Sequence, residues 1–163
     1  MDTINGVVVG LVTQVQAGQI KVTYPWLSED HESDWIRIAT AMSGNNRGSF
    51  LMPELQDEVL LAFDQGNPRC PYVIGFLWNG QDLPPGQDPR DRRLMSKNGH
   101  RLQFLDSTPS NGDLGALVIQ DANGNTIVMS NNKVTIKAKG LLEIDAPIIT
   151  VKGRIVSDFQ NPI

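Results

Sequence analysis

The chain has 163 residues, a mass of 17.9 kDa, a net charge of −4 and a pI near 5.0, which fits one domain of usual size or a small domain with an appendage and argues against a surface built to hold a polyanion. Hydrophobic residues make up 40% and charged residues 20%, too apolar a mixture for a disordered chain. The single cysteine, Cys70, excludes an intrachain disulfide and a Cys-rich zinc site. The longest apolar runs, such as residues 6–12, fall far short of the roughly 20 residues that span a bilayer. The opening residues (MDTIN) place no basic segment ahead of an apolar one, so the expectation is a soluble protein made in a cytoplasm without a secretory signal.

Helical periodicity is nearly absent, and short β-branched runs cut by Gly, Asn, Asp and Pro take its place. Residues 6–12 (GVVVGLV) predict the first strand. Residues 19–24 (QIKVTY) predict the second, with Ile20, Val22 and Tyr24 on one face and a hairpin turn over 16–18 before it. Residues 35–39 (WIRIA) predict a third strand, with Trp35 and Arg37 opposite Ile36 and Ile38. Residues 58–63 (EVLLAF) and 72–77 (YVIGFL) supply two more, joined by the turn-rich 64–71 (DQGNPRCP). Five short strands in about 75 residues suit a small closed or partly closed barrel, since a sandwich usually needs about seven.

Residues 79–93 (NGQDLPPGQDPRDRR) break the pattern with Pro84, Pro85 and Pro89 and read as a semi-rigid linker. The predicted organisation is therefore a barrel over 1–79, a neck over 80–93 and a second region over 94–163. That region holds an alternating segment at 101–105 (RLQFL), short strands at 117–120 and 126–129, and a turn at 121–125 (DANGN). A repeat follows: the apolar pairs Ile127/Met129, Val134/Ile136, Leu142/Ile144 and Ile149/Val151 begin 7, 8 and 7 residues apart, with polar or small turn residues after them. Four short rungs cannot enclose a core alone, so their apolar faces need neighbours. The Pro-rich neck disfavours folding back onto the barrel. Self-association follows, as an in-register threefold prism whose core is those eight residues.

At this point the residues resemble a family. Residues 6–12, 19–25 (QIKVTYP), 34–39 (DWIRIA), 48–59 (GSFLMPELQDEV), 64–68 (DQGNP) and 72–80 resemble the barrel domain of phage baseplate assembly protein V and of VgrG-type spikes of contractile injection systems. The family pattern usually has Gly where this chain has Gln56. Residues 95–100 (MSKNGH), 102–106 (LQFLD), 121–125 and the repeat are similar to the family's spike segment. The resemblance implies an all-β protein: an N-terminal five-stranded OB-type barrel followed by a C-terminal triple-stranded β-helix formed by three chains. It implies a structural central spike, driven through a target envelope when a sheath contracts and touching that envelope transiently. It further implies synthesis in a bacterial cytoplasm and assembly into a phage baseplate or phage-tail-like particle. VgrG hub domains precede the barrel, which here starts near Met1, so a separate hub protein is expected. The neck has no room for the lysozyme domain some phage spikes carry. Neither His31 nor His100 lies near the C-terminus to form a His-x-His iron tip, so a separate PAAR-type tip protein is expected; residues 157–163 (SDFQNPI) either cap the needle or meet that tip protein, with Asn161, Pro162 and Ile163 as its candidate contact.

The chemistry-bearing residues read mostly as structural. His100 has no second histidine or cysteine nearby, and His31 sits in an acidic loop (SEDHESD) without calcium-loop spacing. Cys70 lacks an identifiable histidine partner. Glu54, Asp57 and Glu58 flank a turn rather than a saccharide groove. No enzymatic activity, metal or cofactor is expected. The basic run Arg90, Arg92, Arg93, Lys97 and Arg101 holds 5 of the 14 cations and reads as an interchain salt-bridge collar at the neck of a trimer. An OB-type single-stranded nucleic-acid-binding protein with an oligomerising tail is the alternative, disfavoured by the interleaved Asp88 and Asp91 and the acidic barrel.

Overall fold

The computed structural model describes residues 3–27, 31–107 and 113–156. Strands dominate, with one turn of 3-10 helix at Asp64–Gly66. Among the described residues no helix is long and apolar enough to cross a membrane. The chain divides into two compact units, Met1–Pro84 and Pro85–Ile163.

The first unit contains β1 (Val7–Gln16), β2 (Gln19–Thr23), β3 (Ile36–Ile38), β4 (Ser43–Gly44), β5 (Arg47–Gly48), β6 (Glu58–Phe63) and β7 (Pro71–Leu77). Five of these close a barrel in the order β1-β2-β3-β7-β6, with β3 and β7 parallel and the other pairs antiparallel. Alternation drives it. Ile20 and Val22 of β2, Ile36 of β3, Val59 and Leu61 of β6, Val73 of β7 and Val12 of β1 are fully buried, with Tyr24 and Ile38 packed against them. Each such aliphatic side chain contributes about 1.5–3 kcal/mol on leaving water. Trp35 and Arg37 lie on the outer side, as the alternation of 35–39 predicts. β1 runs four residues past the predicted end because the polar segment 13–16 still pairs with β2, across a register slip between Val12 and Gln14. The small β4–β5 hairpin carries no apolar alternation and left no sequence signal.

The second unit contains β8 (Asp91–Met95), β9 (Arg101–Leu105), β10 (Ala116–Gln120), β11 (Thr126–Ser130) and β12 (Lys133–Lys137), an antiparallel sheet in the order β12-β11-β10-β9-β8. A hairpin of β13 (Thr150–Val151) and β14 (Arg154–Ile155) follows. Two expectations are corrected here. The neck was drawn to Arg93, but β8 starts at Asp91, because the charges that suggested a linker pair with each other and leave the backbone to the ladder with β9. The four rungs are also not equivalent within one chain. The first two are β11 and β12. Leu142 and Ile144 lie in extended chain outside any strand, and only Val151 of the last pair lies in a strand. The spacing repeats, but a strand also needs a ladder partner; among the described residues none pairs with 138–148, and Ile149 accepts only the Val156 N–H, at 2.7 Å, at the end of the β13–β14 hairpin.

Candidate functional site, an unpartnered sheet face

Register assigns every side chain of the five-stranded sheet to a face. One row runs Leu94, Leu102, Ile119, Ile127, Ile136 across the strands, and the neighbouring row runs Arg92, Phe104, Leu117, Met129, Val134. Nine of these ten residues are apolar. The opposite face carries Asp91, Arg93, Arg101, Gln103, Gln120, Thr126, Ser130, Lys133, Thr135 and Lys137 among its fifteen positions. A one-sided sheet normally buries its apolar face and wets the polar one. Here the apolar face is the open one, with Leu94 60%, Val134 64% and Ile136 55% exposed, while Gln103 and Val118 behind it are 5% and 8% exposed.

Of the predicted core, Ile127, Met129, Val134 and Ile136 come together as direct cross-strand pairs, Ile127 with Ile136 and Met129 with Val134. Leu142, Ile144 and Val151 are exposed and Ile149 half-buried, outside this sheet. Sequence reasoning missed Leu94, Leu102, Phe104, Leu117 and Ile119. The alternation of Leu102 and Phe104 within RLQFL was a usable signal; Leu94 was hidden by its charged neighbours.

The basic run is engaged inside the chain. Arg90 donates to Asp88 through Nη2 at 2.6 Å and Nε at 3.0 Å. Hydrogen bonds from the Arg90 side chain and backbone N–H hold the Asp88 carboxyl at about 2, and the Arg90 guanidinium is raised in return. Arg92 pairs with Asp106, and the largely buried Arg93 pairs with Asp91, whose Oδ1 also accepts from Gln103 Nε2 at 2.8 Å. Arg101 donates through Nη2 to Gln120 Oε1 at 2.7 Å, while its buried Nε has no partner among the described residues. Lys97 lies in the turn closed between Ser96 and His100. The collar expected between chains is thus drawn largely onto the chain's own carboxylates, because Asp88, Asp91 and Asp106 lie within reach of the arginines by sequence or by register.

The remaining candidates sit in structural hydrogen bonds. His100 Nδ1 accepts from the Ala122 N–H at 3.2 Å, joining the turn before β9 to the turn after β10. In that second turn burial pushes the Asp121 carboxyl up, but hydrogen bonds from the Asn125 side chain and from the N–H groups of Asn125, Asn123 and Gly124 outweigh it and lower it. Glu32 accepts from Thr13 Oγ1 at 2.7 Å, from Gln14 and from Lys21, which lower its carboxyl. Asp57 Oδ2 accepts the Glu54 N–H at 2.8 Å, and Glu58 accepts from Asn79 Nδ2. Cys70 is exposed beside Asn67. Among the described residues no group of three or more His, Cys, Asp or Glu side chains is gathered to hold a metal ion. Asn161, Pro162 and Ile163 lie outside the described residues.

Residues 4–78 match the type VI secretion system/phage-baseplate injector OB domain. The barrel belongs to that family. Similar proteins include the type VI secretion system spike protein VgrG5 of Pseudomonas aeruginosa, 31% identical over 114 residues, covering 67% of this chain and 14% of the relative. Spike protein VgrG1a of the same organism is 33% identical over 99 residues, covering 55% of this chain and 15% of the relative. Spike protein VgrG3 of Vibrio cholerae is 31% identical over 92 residues, covering 53% and 9%. The match therefore spans a small fraction of these relatives. The VgrG5 likeness covers more of the chain than the first unit holds, so it continues into the second. Within the injector OB domain, the Gln56 N–H donates to the Val12 carbonyl at 2.8 Å and the Val12 N–H to Asp57 at 3.0 Å. These bonds fasten the loop before β6 onto β1.

Proposed function

We propose that the chain is a structural central spike of a contractile phage tail or phage-tail-like injection system, and that it works as a homotrimer. The observation that carries this is the open apolar face of β8–β12. Three such faces turned toward one axis enclose the core that one chain lacks; the segment with Leu142 and Ile144 finds its ladder partners in the other chains, and the exposed Val151 and half-buried Ile149 of the following hairpin region join the same core, completing a triple-stranded β-helix. The injector OB family of the barrel and the spike proteins similar to the chain support its place in such a machine.

In this reading the barrel joins a separate hub protein, a PAAR-type tip protein sits on the needle, and the needle meets the target envelope transiently. The protein is made in the bacterial cytoplasm and assembled into a baseplate or tail-like particle. Its work is mechanical rather than enzymatic: a needle under load needs slow unfolding more than a large equilibrium stability. Light scattering after size exclusion, beside an SDS gel of unboiled sample, tests it. A mass of three chains with an SDS-resistant band is expected; a monomer overturns the reading.

A further inference from the structure

The barrel unit is acidic, yet one part of its surface is not. Residues 1–84 hold four cations, Lys21, Arg37, Arg47 and Arg69, against ten carboxylates. Arg37 and Arg47 both line a groove of about 540 Å³ formed by β3, the β4–β5 hairpin and the residues after it, and no carboxylate lines it. Among the described residues neither arginine pairs with a carboxylate. Arg37 stacks on the Tyr72 ring at 5.0 Å and donates to its hydroxyl at 3.1 Å. Arg47 is seated by a glycine: a Cβ at Gly44 would stand 2.7 Å from Arg47 Nε, so the bare Gly44 backbone lets the Arg47 side chain lie across the hairpin. The hairpin is itself fixed. Thr40 Oγ1 donates to the Ser49 carbonyl at 2.8 Å and the Ser49 N–H to the Met42 carbonyl at 2.9 Å, while Gly48, at φ +147°, sits where a Cβ would run into that Met42 carbonyl. The rest of the lining is largely apolar. Met52 packs against the barrel core, and Met42, Phe50 and Leu51 are 55%, 71% and 66% exposed.

We propose that this groove binds an acidic segment of a partner protein, one in which a carboxylate stands beside an apolar side chain. Charge selects the anion. At physiological ionic strength, exposed charges more than about 8 Å apart are largely screened, so a bound group answers to the guanidinium groups beside it rather than to the net charge of the unit. Guanidinium groups grip carboxylates through paired hydrogen bonds, and an arginine already laid across Gly44 loses less side-chain freedom on binding. The apolar lining selects the neighbour of that anion, since a contiguous exposed apolar patch with a polar rim marks a contact surface, and Arg, Met and Phe are enriched in such surfaces. Openness selects a protein segment over a free small molecule. Small-molecule sites bury about 70–90% of their ligand, whereas more than half of each of Met42, Phe50 and Leu51 faces water. The groove therefore supplies one anchor of a larger contact. It lies within a single barrel and stands whether or not the chain is a trimer.

The test is methionine-methyl NMR of the full chain, in which Met42 and Met52 report on the groove while Met95 and Met129, in β8 and β11, serve as internal controls. The probe is the peptide acetyl-Asp-Leu-Asp-Phe-amide, beside its neutral analogue acetyl-Asn-Leu-Asn-Phe-amide and sodium decanoate. The acidic peptide is expected to shift Met42 and Met52 saturably and to leave Met95 and Met129 in place. It is expected to bind several-fold more tightly than the neutral peptide, and more weakly as salt is added. Arg47→Gln is expected to weaken that binding several-fold. Gly44→Ala keeps every charge but displaces the Arg47 side chain, and is expected to weaken it to a similar degree. Equal binding of the two peptides reduces the groove to a plain apolar surface and overturns the proposal, as does the absence of any saturable shift at millimolar peptide. Shifts with decanoate and with neither peptide assign the groove to a free amphiphile and overturn it too. Because both peptides are compared on the unaltered chain, the outcome is decided even where a variant fails to fold.

Discussion

Gln56 holds φ at +75°, in the left-handed region that disfavours a side-chain-bearing residue by roughly 1–2 kcal/mol. It is kept there by its own N–H bond to the Val12 carbonyl and by the bond from Val12 to Asp57. Replacing it with glycine relieves the strain and loosens the unfolded chain. Gln56→Gly is therefore expected to stabilise the barrel by about 0.5–1 kcal/mol, read as a higher denaturation midpoint at unchanged slope. A lower midpoint would mean that the Gln56 side chain makes contacts worth more than the strain. The sequence marked this position as one where the family pattern usually has Gly, and the conformation gives that pattern its physical reason. The basic run shows the opposite case. Its charges were plain in the sequence, but whether Arg92 meets a carboxylate of its own chain depends on the β8–β9 register that brings Asp106 to it, and nothing local encodes that.

The sheet of β8–β12 separates residues that looked equivalent in the repeat. Ile136 lies in the edge strand β12, directly opposite Ile127 on the apolar face, whereas Ile144 lies outside the sheet. An aspartate on the face would be an unpaired charge buried in the assembly, which costs several kcal/mol in each chain at once. Ile136→Asp is expected to abolish the trimer, measured as a shift to monomer mass in light scattering, while the barrel keeps its fold. An Ile136→Asp protein that still elutes as a trimer would remove β12 from the interface. The period of two was enough to read which side chains share a face of one strand, and it found four of the nine apolar residues of this surface. It does not state which strands become neighbours. Leu102, Phe104, Leu117 and Ile119 were therefore legible as alternating residues and not as parts of one surface with Ile127. Leu142 and Ile144 are the reverse case, an apolar alternation with no strand partner beside it in one chain.

The chain holds two compact units, and in the proposed trimer they have different sources of stability. The barrel was read from the sequence almost strand for strand, because its core closes within one chain and its alternation points inward to a centre that the same chain supplies. The second unit was legible only as a deficit of neighbours, because one chain leaves the apolar face of β8–β12 open. That difference carries a thermodynamic signature. A unit that folds by itself has a melting temperature independent of concentration, whereas a unit whose core is shared by three chains is stabilised by mass action. Calorimetry of the full chain across a tenfold concentration range is expected to show two transitions. The midpoint of the needle unit rises with concentration, and that of the barrel stays fixed once the needle has dissociated. The needle transition is also expected to depend on scan rate, since separating three interlocked chains is slow. A single transition indifferent to both concentration and scan rate would mean that Pro85–Ile163 completes its core without other chains, and the mechanical reading of the apolar face would lose its basis.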